Sequence, residues 1–97
     1  MSALQVKRER AEFGEELLPD QKADVLRVHE AYCYQVAYYV LQDASGAQQA
    51  AKFALIELFR RECFFLLNES GQQKEVKSAA IRCSLQIRKE RLAGTSR

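Results

Sequence analysis

One proline, Pro19, and four glycines are all that punctuate these 97 residues, and the apolar side chains recur at three- and four-residue steps rather than in alternation. So few backbone breakers combined with that period leave helices as the only regular structure the chain is suited to. Each helix would bury one stripe, so the expected fold class is all-α, a bundle of three to four helices. A 47% hydrophobic composition supplies a core, and the length fits one domain.

The pattern divides the chain into an N-terminal arm or short helix over residues 1–19, a helical domain over 20–92 and a disordered tail over 93–97. Helix one is expected over 20–42, with Asp20 as N-cap after Pro19. Its inward stripe is expected to be Val25, Val28, Tyr32, Val36, Tyr39 and Val40. Gln42-Asp43-Ala44 forms a short turn, and Ser45 with Gln48 reads as a capping box, so helix two returns antiparallel over 46–67. Ala47, Ala50, Ala51, Ala54, Leu55, Leu58 and Phe59 make its broad apolar face. Phe53, Ile56 and the Cys63-Phe64-Phe65-Leu66-Leu67 run extend that surface beyond what three helices need to cover. Asn68 or Gly71 should end it, and helix three should run over 73–92 with Val76, Ala80, Cys83 and Ile87 inward. Val36, Tyr39, Ala54, Leu55, Leu58, Ala80 and Cys83 are expected to be buried. The surplus apolar surface of helix two is expected to support a homodimer or another protein partner.

From Tyr32 to Arg60 the chain has an aromatic-spaced helix, a Leu41-Gln42-Asp43 turn, Ala47 early in the next helix and an Ile56-Glu57-Leu58-Phe59-Arg60 end. In that order of features it resembles the second conserved region of bacterial RNA polymerase sigma factors, of the small extracytoplasmic-function kind. There a Leu-Gly-Asp-like turn, an alanine before an acidic pair, a Gln-Glu pair and a Leu-x-x-Trp-Arg end follow one another without a gap. The resemblance implies the helical fold of that region over residues 20–92. It also implies a partner-contacting face on helix two, where the family docks on a coiled coil of the polymerase. The positions carried over are Gln48 and Gln49 in place of the acidic pair, Lys52 and Phe53 in place of the Gln-Glu pair, and Ile56. Loss of every carboxylate there removes charge steering toward a basic surface and leaves Phe53 as an apolar anchor.

Residues 74–97 hold seven basic and two acidic side chains, so the positive excess sits on helix three. Lys77, Arg82, Arg88, Lys89 and Arg91 are the candidate nucleic-acid contacts, with a solvated basic face as the plainer reading. The family's base-reading helix has a tryptophan and an Arg-Asn pair where this chain has Lys77 and Cys83-Ser84. With no aromatic among the bases to stack on a nucleobase, DNA contact is expected to be weak and indifferent to sequence.

No Gly-rich phosphate loop, no HExxH and only one histidine argue against an enzyme, and His29 with Glu30 reads as a surface or half-buried pair. Cys33, Cys63 and Cys83 lack CxxC spacing and read as buried or half-buried thiols rather than a disulfide or zinc framework. No catalytic, cofactor-binding or metal residue is expected. The absence of a membrane-length apolar run or a secretory signal points to the cytoplasm. The function implied is a non-enzymatic, transcription-associated binding protein on a diverged sigma scaffold. It would be a partial sigma subunit or a regulator, with RNA polymerase, a second sigma-like subunit or another regulator as partner. The alternatives are a helical oligomerisation or adaptor module unrelated to transcription and, more remotely, a small redox or ligand-binding protein acting through its cysteines.

Overall fold

The computed structural model describes residues 17–95, so nearly all of the arm expected over 1–19 lies outside the described residues. Three α-helices follow one another: α1 (Pro19–Leu41), α2 (Ala44–Phe59) and α3 (Glu69–Thr95), with a short 3-10 helix (Glu62–Leu66) between α2 and α3. Each α-helix packs on both others, and the described residues contain no strand. The all-α helical bundle expected from the pattern is the fold observed.

The ends follow from local chemistry and correct several expectations. Helix α1 starts one residue early, with Pro19 rather than Asp20 at its boundary, because the fixed φ of proline suits the first helical position. Asp20 lies inside the first turn, near the positive end of the helix dipole, and Gln21 Oε1 accepts the Leu18 N–H at 2.8 Å. Gln42 closes α1 in the left-handed region, at φ 57° and ψ 34°. Its N–H donates to the Tyr38 carbonyl at 2.6 Å and its side-chain amide to the Tyr39 carbonyl at 2.9 Å, offsetting a conformation that disfavours non-glycine residues. Asp43, not Ser45, caps α2, its Oδ2 accepting the Gly46 N–H at 2.5 Å. Only two residues separate α1 from α2, so the cap falls on the residue that leaves the turn. Asn68, expected to close helix two, instead caps α3 by accepting the Gly71 N–H at 2.7 Å. Helix α3 continues to Thr95, so residues 93–95 of the expected tail are helical, and Ser96 and Arg97 lie outside the described residues.

Helix α2 ends at Phe59, eight residues short of the expected Leu67. The Arg60 and Arg61 N–H groups tighten onto nearby carbonyls, and the chain turns into the 3-10 helix. A continued α-helix would carry Phe64 off the buried stripe at 100° per residue, whereas the break folds it into the base of the bundle, where it is 1% exposed. There its ring meets His29 edge-on at 6.2 Å and Phe65 at 5.0 Å. Leu66 and Leu67 stay exposed, and so does Cys63, which had been expected to be at least half-buried.

The buried stripe of α1 is Lys22, Leu26, His29, Cys33 and Ala37, one residue round from the expected set. Tyr39, expected inside, is 81% exposed, while Val36 and Tyr32 are only partly buried. Facing this stripe, α2 presents Ala47, Ala50, Ala51, Ala54 and Leu58. Helix α3 presents Val76, Ala79, Ala80, Ser84 and Ile87, with Ser84 rather than Cys83 at the centre. Alanine against alanine needs small partners opposite, and Cys33 and Ala37 meet that need where tyrosines would hold the helices apart. His29 is buried, beyond the surface or half-buried pair with Glu30 that was expected, its Nε2 lying 3.1 Å from Gln72 Oε1. Lys22 is buried along its stem, donates to Glu62 Oε2 at 2.6 Å, and stands 5.5 Å from the centres of both the Phe59 and Phe65 rings.

Truncating the plug and truncating its exposed neighbour should therefore separate cleanly. Phe64→Ala is expected to lower stability by about 3–5 kcal/mol and Leu66→Ala by less than about 0.5 kcal/mol, measured by urea denaturation.

Candidate functional site

The five carried-over positions of α2 all reach solvent: Gln48, Gln49, Lys52, Phe53 and Ile56. Gln48, Lys52 and Ile56 follow one another at four-residue steps, with Gln49 and Phe53 in the next row, so they form one surface. Phe53 is 47% and Ile56 41% exposed. The opposite side of the same helix is the alanine stripe, which fixes the orientation of this surface.

Ile56 also belongs to a groove of about 290 Å³ between α1 and α2, lined by Ala23, Leu26, Arg27, Glu30, Leu55, Ile56 and Phe59. The close approach that alanines allow at the helix axes leaves the larger Leu55 and Phe59 half-buried along its floor. Arg27 on the α1 wall is engaged by Asp24 at 2.9 Å. Tyr34 and Tyr38 continue that wall beyond Glu30 at four-residue steps, their rings stacked at 6.1 Å. Pattern reading reached Ile56 but not the α1 wall, because Ala23, Arg27 and Glu30 carry no apolar period.

The candidate nucleic-acid residues lie along α3, and three of the five are engaged within the molecule. Arg82 Nη1 donates to Glu57 Oε2 at 2.6 Å, Arg88 Nη2 to the Val40 carbonyl, and Arg91 Nη2 to Asp43 Oδ2 at 2.8 Å. Arg88 thus satisfies a carbonyl of the last turn of α1, while Arg91 holds the N-cap of α2. Gly46 is what admits Arg91: a Cβ there would stand 2.7 Å from Arg91 Nη2 and 2.8 Å from Asp43 Oδ2. Lys77 and Lys89 are exposed. The basic end of α3 therefore works first as a clamp on the α1–α2 turn, a role that only the folded arrangement reveals.

Burial pushes the Cys33 thiol up to about 12, with the neighbouring Cys83 and Glu30 charges adding to the effect. Burial raises Cys83 as well. Cys33 therefore stays a neutral thiol at physiological pH, its Sγ directed at the Ala51 carbonyl at 3.9 Å, and behaves as a small core residue. Among the described residues no group of three histidine, cysteine or acidic side chains could hold a metal ion, and no helix is long and apolar enough to cross a membrane.

No family model, curated protein or solved structure matches the chain.

The clamp has a pH signature. The Arg91 hydrogen bond, followed by that from the Gly46 N–H, holds the Asp43 carboxyl below its ordinary 3.8. A carboxyl depressed on folding contributes stability that is complete above the ordinary value and is lost as pH falls through the folded one. Asp43→Asn keeps a capping oxygen but removes the titration. The variant is expected to show a shallower loss of denaturation midpoint below about pH 4 than the parent chain, followed by circular dichroism.

Proposed function

We propose that this chain is a non-enzymatic, transcription-associated binding protein, a partial sigma subunit or a regulator, acting through protein contact on the outer face of α2. The observation that carries the reading is the exposure of Gln48, Gln49, Lys52, Phe53 and Ile56 as one surface beside an apolar groove. These are the positions at which the resemblance to the sigma second region implies a docking face. Protein contact is favoured over nucleic-acid contact because Arg82, Arg88 and Arg91 are already bonded to Glu57, Val40 and Asp43. A phosphate would have to displace those partners, so DNA binding is a minor activity centred on Lys77 and Lys89. A cytoplasmic setting goes with this role.

Chemical crosslinking in native cytoplasm, scored for polymerase subunits or a second sigma-like chain, tests the reading. Capture of either is expected and should fall about tenfold or more with Phe53→Glu, which places a charge at the anchor. Capture of neither, with the chain intact, would transfer the surface to an adaptor role unrelated to transcription. In parallel, Lys77→Glu with Lys89→Glu is expected to abolish a weak, salt-sensitive and sequence-indifferent DNA affinity, measured by fluorescence anisotropy, while leaving the capture unchanged.

A further inference from the structure

We infer that a second copy of this chain covers the α1–α2 groove, in a two-fold arrangement that places Phe53 of one protomer against the groove of the other and pairs Glu30 of each with Lys52 of the partner subunit. The molecule carries both halves of such a contact. The groove floor of Leu26, Leu55 and Phe59 is the recess, and Phe53 and Ile56, exposed on the same helix, are the ridge beside it. A surface bearing recess and ridge side by side meets the self-complementarity that a two-fold interface requires.

The charges select the occupant. Arg27 on the groove wall is neutralised by Asp24, and Lys22, at the near end of α1, by Glu62. Glu30 on the α1 wall and Lys52, one turn from Ile56 on α2, have no ion pair or hydrogen bond among the described residues. They are opposite in sign and stand on opposite helices of the groove. A strongly acidic or strongly basic partner would satisfy one and oppose the other. A second copy supplies a lysine for the glutamate and a glutamate for the lysine, twice per dimer. The contact would also cover Lys52, Phe53 and Ile56, so self-association competes with any other chain that uses the α2 face.

Sedimentation of the purified chain tests this without any other protein, so its failure would not touch the proposed function, which rests on capture of a different chain. A dimer is expected at tens to hundreds of micromolar. Glu30→Lys and Lys52→Glu, both at exposed positions, should each weaken it by about tenfold or more through two like-charge contacts. The chain carrying both reversals should recover the dimer, and an equimolar mixture of the two single variants should form the mixed dimer in preference to either homodimer. A chain that stays monomeric throughout that range would overturn the inference. So would a dimer indifferent to the reversals, or single variants that show no preference for each other.

Discussion

The close approach of α2 to its two neighbours is set by side-chain size. Ala47, Ala50, Ala51 and Ala54 occupy its buried stripe, and the helices opposite answer with Cys33 and Ala37 on α1 and with Ala79, Ala80 and Ser84 on α3. Interaxial distance depends on what stands at the contact, and a row of small residues brings the backbones near enough for Cys33 Sγ to lie 3.9 Å from the Ala51 carbonyl. The larger residues are displaced to the flanks as a consequence. Tyr34 and Tyr38 stack along one edge of α1, Tyr39 is pushed to solvent, and Leu55 and Phe59 stay half-buried as the floor of the groove. The surface proposed as functional is thus a by-product of how tightly the alanines pack.

A core made of alanines buries little apolar area per residue, so the large side chains are concentrated at one end. Leu58, Phe64 and Val76 close the base of the bundle, and Lys22 and His29 are held there by Glu62 and Gln72. At the other end Ala37, Ala47, Ala50 and Ile87 form a smaller cluster, and the arginines of α3 reinforce it from outside. Between the two clusters Ser84 Oγ is buried with no hydrogen-bond partner among the described residues.

The division of labour on α3 bears on the resemblance to sigma factors. A basic helix invites a nucleic-acid reading, yet Arg88 and Arg91 reach the α1–α2 turn and Arg82 reaches Glu57, so three of the five charges that would meet phosphates are already engaged at the surface. Lys77 and Lys89 alone of the five candidates stay exposed without such a bond among the described residues, and the outer face of α2 is the exposed surface that is apolar and weakly charged. Both the proposed partner contact and the self-association inferred from Glu30 and Lys52 follow from that redistribution.

Helix number and order were legible because they depend on local chemistry: the break at Pro19, the short turn at Gln42-Asp43 and the alanine row of α2, whereas the α2 cap was read at Ser45 and Gly71 was read as a helix end although it lies in the first turn of α3. The exposed face of α2 was legible for the same reason, since the alanines fix which side is inward. Which way α1 turns was not, because Val25, Val28, Tyr32, Val36 and Tyr39 make the better apolar period. The buried set of Lys22, Leu26, His29, Cys33 and Ala37 is chosen by the size of its partners on α2 and α3. The break at Phe59 was equally hidden, because CFFLL continues an apolar helix in pattern and only the space at the base of the bundle favours folding Phe64 back. Sequence by itself therefore determined that this chain forms three helices and that one face of α2 is left over. The tertiary structure alone decided the rotation of α1, the plug and the arginine clamp, because each depends on volumes and charges brought together from distant parts of the chain.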